Sequence, residues 1–307
     1  MIERTPWLDR LCHAMLILGI AAVCLPLYYA LIAATHTLQD VLQVPMPLTP
    51  GGELWNNLKT VTSNGTLGRQ LTNSLIVSVG VTVGKISVSI LSAFAITYFR
   101  FPFRMTAFWL IFATLMLPIE VRIVPTFAVA AHPLQPLAWL LETTGTGGAF
   151  EWLTGWSVEA VVKWSLLDSY AGLILPLTAS ATATFLFRQL FLTIPEELLE
   201  AAKIDGASPM RFLVDVLWPM SRTNVVALAV ILFVFSWNQY LWPLLITTDP
   251  AMATAVIGLA KQISGAPEAV PKWNLLMSSA LLITLPPVMV VIVLQRWFVK
   301  GLVDSEK

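Results

Sequence analysis

The sequence predicts an all-α integral membrane protein with six transmembrane helices. Composition is the first observation: 57% of the 307 residues are hydrophobic and only 12% are charged, against about 25% in a soluble domain. With a mean hydropathy of +0.76, the chain has too few charges to cover a water-facing surface. Six apolar runs are the second observation, each long enough for a hydrocarbon core about 30 Å thick at 1.5 Å rise per residue. A polar stretch, Pro195–Pro219, is the third. It carries seven charges between almost wholly apolar neighbours. Formal net charge is zero, so nothing favours nucleic acid.

The first run is Leu11 to Ala34, behind Arg4 and Arg10. It is longer than the apolar core of a signal peptide, about 7–15 residues, and reads as an uncleaved span. Cys12 and Cys24 both lie in it and read as buried thiols, not a disulfide. A polar connector with Pro45, Pro47, Pro50, Gly51 and Gly52 follows, containing a short surface helix at Leu54–Leu58. The second run is 73–98. Gly80-x-x-x-Gly84, continued by Ser87, Ser89, Ser92, Ala93 and Ala95, gives it a small surface for close helix contact, so it packs centrally. Gly84-Lys85 lacks the spacing of a phosphate-binding loop and sits inside an apolar helix. The third run is 105–131, with Pro118, Glu120, Arg122 and Pro125 towards its end. Glu120 and Arg122 are placed to pair with each other or with a neighbour. The connector 132–168 holds Trp139, Trp152, Trp156 and Trp164 and reads as an insertion at the membrane surface, where tryptophan is at home. Its charges argue against a further span. Runs four, five and six are 169–187, 223–246 and 275–298, the last interrupted by Pro286-Pro287. Domain organisation follows: 1–72 as N-terminal span and connector, 73–298 as core with the insertion 132–167, and 299–307 as a tail.

The polar stretch reads as two short helices with a tight break. Pro195 suits a first turn, and Glu196 and Glu197 an N-terminus. Leu198, Ala201 and Ala202 share a face. Gly206 is the helix-ending glycine. Ser208-Pro209 restarts a helix as N-cap and first residue, which shows Phe212, Val216 and Leu217 on one side and pairs Arg211 with Asp215 at i, i+4. Placing this loop inside puts eleven basic residues on the inner side and six on the outer, so both termini are cytoplasmic.

Two places bear on a transport path. Lys85 lies twelve residues into its span, about 18 Å along the helix. A charge at that depth is costly, and faces a partner, a cavity or a passing anion. Trp237-Asn-Gln-Tyr-Leu-Trp242 offers Asn238 and Gln239 as hydrogen-bonding amides beside aromatic rings; interhelical bonding with an aromatic belt is the other reading. Lys85, Arg122, Asn238 and Gln239 are therefore the substrate-path candidates. No paired carboxylates, no Ser/His/Asp set and no metal-ligand spacing occur, so the sequence offers neither catalysis nor a metal site.

Glu200-Ala-Ala, three residues, Gly206, nine residues, Val216 and then Trp218-Pro219 resembles the EAA loop of ABC-importer permeases, with Val216 and Trp218 replacing that pattern's Ile and Leu. Asp205-Gly206-Ala207 matches the carbohydrate-uptake type. Phe112–Arg122, Leu167–Gly172, Ala179–Arg188, Trp237–Leu245 and the tail Gly301–Lys307 extend the similarity along the chain, most closely to permeases for sn-glycerol-3-phosphate. The resemblance implies a type I ABC transmembrane domain in a bacterial inner membrane. Its loop would form a coupling helix seated on an ATPase, with Glu200, Ala201, Ala202, Asp205, Gly206 and Pro219 carrying the coupling. It implies a second permease subunit, two cytoplasmic ATPase subunits that bind the ATP and Mg, a periplasmic binding protein, and no cofactor in this chain. It implies alternating access for sn-glycerol-3-phosphate or related glycerophosphodiesters. A permease for a neutral sugar or polyol differs from this in substrate alone; a non-transporting membrane scaffold is the reading from another class.

Overall fold

In the computed structural model, which describes residues 6–63, 65–114, 117, 119–264 and 270–303, every regular element among the described residues is helical. Four helical stretches are long and apolar enough to cross a membrane: Trp7–Ala34, Thr66–Tyr98, Pro209–Trp237 and Trp273–Gln295. A fifth arises if Tyr170–Leu177 and Ala181–Leu192, bent by 49°, count as one span. The third predicted span falls on two shorter helices, Arg104–Ala113 and Ile119–Ala131. The chain divides into two compact units, Met1–Leu71 with Gly258–Pro286, and Thr72–Ile257 with Pro287–Lys307.

In the first unit, α1 (Pro6–Ala34) is exposed along nearly all its length and becomes buried only at Ile32–Ala34. Cys12 and Cys24 are free but exposed, which corrects the expectation of buried thiols. An apolar helix in a bilayer need not turn its apolar residues toward its own chain. After the short α2 (Leu38–Val41) comes α3 (Leu54–Ser63), longer than the predicted surface helix and anchored by a buried asparagine. Asn57 donates to the carbonyls of Ala34 and His36, both at 2.9 Å, and its Oδ1 accepts from Asn274 at 3.0 Å. At α2 the Thr37 hydroxyl donates to the Asp40 carboxylate at 2.6 Å. That bond, more than the nearby His36, holds the Asp40 carboxyl below its ordinary value.

In the second unit, α4 (Thr66–Tyr98) continues through Thr72 as the central helix. A side chain at Gly80 would stand 2.6 Å from Ile174 Cδ1, and one at Gly84 2.5 Å from Thr178 Cγ2. The small surface read from the sequence is therefore a close packing seam. Its partners are α10 (Tyr170–Ile174) and the turn after it, before α11 (Ala181–Leu192). The predicted fourth span, 169–187, is thus broken and ends later. Pro176 tightens the turn Leu175–Leu177, and Ser180 caps α11 by accepting from the Ala183 N–H at 3.3 Å. The third span divides into α5 (Arg104–Ala113) and α6 (Ile119–Ala131). Pro118 and the Glu120 side chain lie outside the described residues. The long helix α17 (Trp273–Val303) runs unbroken through Pro286-Pro287, contrary to the predicted interruption.

The connector after α6 forms three short helices, α7 (Gln135–Thr143), α8 (Gly147–Thr154) and α9 (Val158–Lys163), none long enough to span a membrane. Ala138, Leu141 and Val161 are buried, while all four tryptophans remain exposed. Its two ends meet: the Leu166 N–H donates to the Ala130 carbonyl at 3.0 Å. A segment with adjoining ends can be shortened without pulling the flanking helices apart. Replacing residues 133–164 by a short Gly/Ser linker is expected to leave membrane insertion and the melting temperature of the purified protein intact, measured in membrane fractions and by thermal unfolding. Loss of insertion would make the connector part of the folding core.

Candidate functional site

The polar loop is built as two helices around one glycine. Helix α12 (Glu196–Ile204) opens with Glu196 and Glu197 in its first turn, where the helix dipole favours anions. Pro195 sits just before it as the N-cap residue, not within the first turn. At the other end Gly206 has φ +69°. Its N–H donates to the Lys203 carbonyl at 3.1 Å, and the Ala207 N–H to the Ala202 carbonyl at 2.9 Å. These two bonds form a Schellman cap, which satisfies carbonyls that the helix end leaves open. Nothing lies within 4 Å of where a Gly206 side chain would begin. Conformation, and not crowding inside this chain, requires the glycine.

Ser208 restarts the chain as predicted, its Oγ accepting from the Arg211 N–H at 3.3 Å, with Pro209 as first residue of α13 (Pro209–Phe212). The second helix does not stop there. It passes through a widened π turn, Leu213–Leu217, into α14 (Trp218–Trp237), so the predicted fifth span starts inside the loop. In the π turn the Trp218 N–H bonds the Leu213 carbonyl, five residues back. Pro219 explains the widening: it has no N–H to donate, and its ring crowds the carbonyl four residues back. The loop's second half and a membrane-crossing helix are therefore one continuous rod.

Phe212 and Leu217 are buried with Phe187 and Phe191, and Val216, Leu199 and Ala202 pack against that cluster. Leu199 and Ala202 thus form the inward face of α12. The predicted shared face of Leu198, Ala201 and Ala202 is present and lines the recess between the two helices; Ala202 stands at its border with the inward face. Leu198, Glu200, Ala201 and Asp205 are exposed, and Ile204 is 86% exposed. A recess of about 360 Å³ opens between the two helices, lined by Ala201, Ala202, Asp205, Ala207, Arg211 and Asp215. Arg211 pairs with Asp215 at 3.2 Å; an exposed pair of this kind contributes about 0.3–0.5 kcal/mol.

Of the four path candidates, Lys85 and Arg122 lie near enough for their like charges to act on each other, while Asn238 and Gln239 are engaged in local bonds. Lys85 is 7% exposed, with its ammonium 4.4 Å from the centre of the Phe235 ring on α14. Arg122 is exposed on α6, and no salt bridge to it occurs among the described residues. Asn238 donates to the Val234 carbonyl at 2.9 Å and Gln239 to the Phe235 carbonyl at 3.3 Å. Both amides cover the carbonyl end of α14, a local use that their sequence did not suggest. The fifth span ends at Trp237 and resumes as α15 (Leu241–Ile246). Trp237 and Trp242 are buried, not in an exposed belt, and the Trp242 indole donates to the Gly172 carbonyl at 3.1 Å.

Two polar nodes escaped the sequence reading. Asn73 Oδ1 accepts from Tyr170 at 2.7 Å while its amide donates to the carbonyls of Ala251 and Ala253 at 2.8 and 3.0 Å. The Asp168 carboxylate accepts from the backbone N–H groups of Thr248 and Asp249 at 2.6 and 2.8 Å. An asparagine at the head of an apolar run was the available signal for the first. The second joins residues eighty apart and leaves no local trace.

The chain matches, over residues 85–304, the family described as binding-protein-dependent transport system inner membrane component. Relatives called sn-glycerol-3-phosphate transport system permease protein UgpE are 50% identical in Pectobacterium atrosepticum over 313 residues and in Yersinia pestis over 315. A third from Escherichia coli is 50% identical over 313 residues, and each alignment covers the whole of both chains. A crystal structure of a bacterial ABC transporter involved in the import of the acidic polysaccharide alginate shares the fold, with TM-score 0.72 and 18% identity over 97% of this chain and 99% of that one. With a helical membrane architecture and these matches, the chain belongs to the family of binding-protein-dependent transport system inner membrane components.

Proposed function

We propose that this chain is one of two permease subunits of an ABC importer for sn-glycerol-3-phosphate or related glycerophosphodiesters, with both termini in the cytoplasm. The observation that carries the substrate class is 50% identity over the full length of permeases bearing that name. The loop supports the mechanism. Leu198, Ile204, Met210 and Val214 are exposed on an otherwise charged segment, and an apolar set on a polar platform suits a protein partner. That partner is an ATPase subunit, and two of them bind the ATP and Mg. A periplasmic binding protein delivers the solute to the other side. Because α13, the π turn and α14 are continuous, a push on the loop moves a transmembrane rod, which is what alternating access needs.

The test is uptake of labelled sn-glycerol-3-phosphate by proteoliposomes holding this chain, its partner permease and the ATPase subunits, with the cognate binding protein outside. Uptake that needs ATP inside and binding protein outside is expected. Uptake of a neutral sugar or polyol alone would replace the substrate assignment, and no ATP-dependent uptake of any solute would leave a scaffold.

Orientation has its own test. Single cysteines at Ser208 and Gly147, in a chain with Cys12 and Cys24 replaced, are expected to react with an impermeant maleimide from opposite sides of intact cells. Labelling from the same side would overturn the topology.

A further inference from the structure

The central helix α4 carries an unusual stripe. Ser78, Thr82, Lys85 and Ser89 are all buried, at spacings of four, three and four residues, which is one helix face. Lys85 stands thirteen residues before the helix ends at Tyr98, about 20 Å along it. Buried cations at such depth are normally paired. Here no carboxylate among the described residues lies within salt-bridge distance of Lys85. Its neighbour is an aromatic face, Phe235, at 4.4 Å. The Ser78 hydroxyl, two turns away on the same face, is buried with no hydrogen-bond partner, and so is that of Ser236, next to Phe235. Among the described residues Lys85 thus has no carboxylate partner, and two buried hydroxyls, one on its own helix face and one next to Phe235, have no hydrogen-bond partner; an anion supplies what all three groups lack.

We propose that Lys85 is the residue that selects an anionic solute in the path, and that Phe235 is its positioning residue, holding the ammonium until the anion arrives. The proposal rests on the importer reading above and adds to it the group that meets the phosphate. The aromatic face stabilises the ammonium enough to keep it in place, but weakly enough to yield to a phosphate, which offers both charge and hydrogen bonds. Phe235 lies on the rod that begins in the coupling loop. Movement of that loop therefore changes the distance between ring and ammonium, so the cation is freed in step with the ATPase cycle. Ser78 supplies a further donor along the same face.

The experiment uses the complete transporter in proteoliposomes with its binding protein, and four variants: Lys85→Met, Lys85→Arg, Phe235→Leu and Phe235→Tyr. Lys85→Met is expected to lower uptake of sn-glycerol-3-phosphate about tenfold or more. The melting temperature of the purified complex is expected to be no lower than wild type, because a buried charge with no carboxylate partner among the described residues has been replaced by an apolar side chain of similar length. Lys85→Arg retains uptake. Phe235→Leu lowers uptake about threefold, and Phe235→Tyr restores it. A Lys85→Met complex that melts well below wild type or fails to assemble makes Lys85 a structural residue and overturns the proposal. Unchanged uptake in that variant overturns it as well. A wild-type complex that carries a different anion removes the glycerol phosphate assignment alone, and Lys85 is then judged on that anion. A wild-type complex that carries only uncharged solutes overturns both.

Discussion

Gly206→Val is expected to abolish stimulation of ATP hydrolysis by the loaded binding protein while the chain stays in the membrane. The valine meets no neighbour, since nothing lies within 4 Å of the new Cβ. Its difficulty is the backbone at φ +69°. A left-handed conformation costs an ordinary residue about 1–2 kcal/mol and a β-branched one more. Relaxing to negative φ breaks the two bonds that close α12, from Gly206 to Lys203 and from Ala207 to Ala202. The angle between α12 and the following rod is set by those bonds, and the exposed faces on either side of the recess move with it. The buried cluster around Phe187, Phe191 and Leu217 does not depend on the glycine, so the transmembrane part keeps its packing. ATPase activity of the reconstituted complex, with and without loaded binding protein, is the measurement. We expect uptake to fall about tenfold or more, Gly206→Ala to fall less, and Gly206→Asn least, because asparagine tolerates this conformation best among side-chain residues. Full stimulation in the valine variant would place coupling outside this loop.

The features that were legible in the sequence are those whose chemistry is local. Gly206, Ser208 and the Arg211–Asp215 pair each act within five residues of their partners, so spacing alone reveals them. The Gly80/Gly84 seam was legible as a seam, but not its partners Ile174 and Thr178, which lie more than ninety residues away. Hydropathy marks where apolar chain runs and is blind to direction. The bend between α10 and α11, the break before α15 and the run-on from the loop into α14 therefore went unread. Pro176 and Ser180 were signals for the first, and Pro219 was one for the π turn. Tryptophans 237 and 242 looked like an interfacial belt because composition cannot tell a ring facing lipid from one buried against a carbonyl. Lys85 stood out as a misplaced charge. Phe235 did not, because a phenylalanine in an apolar run carries no signal until the fold brings a cation to it.

Gly172→Ala is expected to reduce the folded protein severely, for a reason opposite to that at Gly206. Gly172 lies within α10, where alanine is conformationally at ease, but its Cβ would stand 2.0 Å from the Leu166 carbonyl oxygen and 2.9 Å from the carbon. Backbone, not a flexible side-chain tip, occupies the space. Neither strand of that contact can give. The Leu166 N–H is bonded to Ala130, and its carbonyl accepts the Ser169 hydroxyl at 2.6 Å. Ser169 in turn accepts the Gly172 N–H at 3.0 Å, and the Gly172 carbonyl holds the Trp242 indole. Asp168, between them, sits at φ 49° with its carboxylate clamped on Thr248 and Asp249. Making room for one methyl group must break several of these bonds together or unpack Trp242 and Ile246, both fully buried. Overpacking against fixed backbone costs about 3 kcal/mol, and more when hydrogen bonds are lost with it. Melting of the purified complex and its yield in membranes measure the effect, with Gly148→Ala as control, since nothing lies within 4 Å of that position and its backbone is helical. We expect the control to match wild type and Gly172→Ala to melt well below it or fail to accumulate. If both match wild type, the turn at Leu166–Gly172 yields more readily than its hydrogen bonds imply, and the tie between the 166–172 turn and the 246–249 turn is not what fixes these helices.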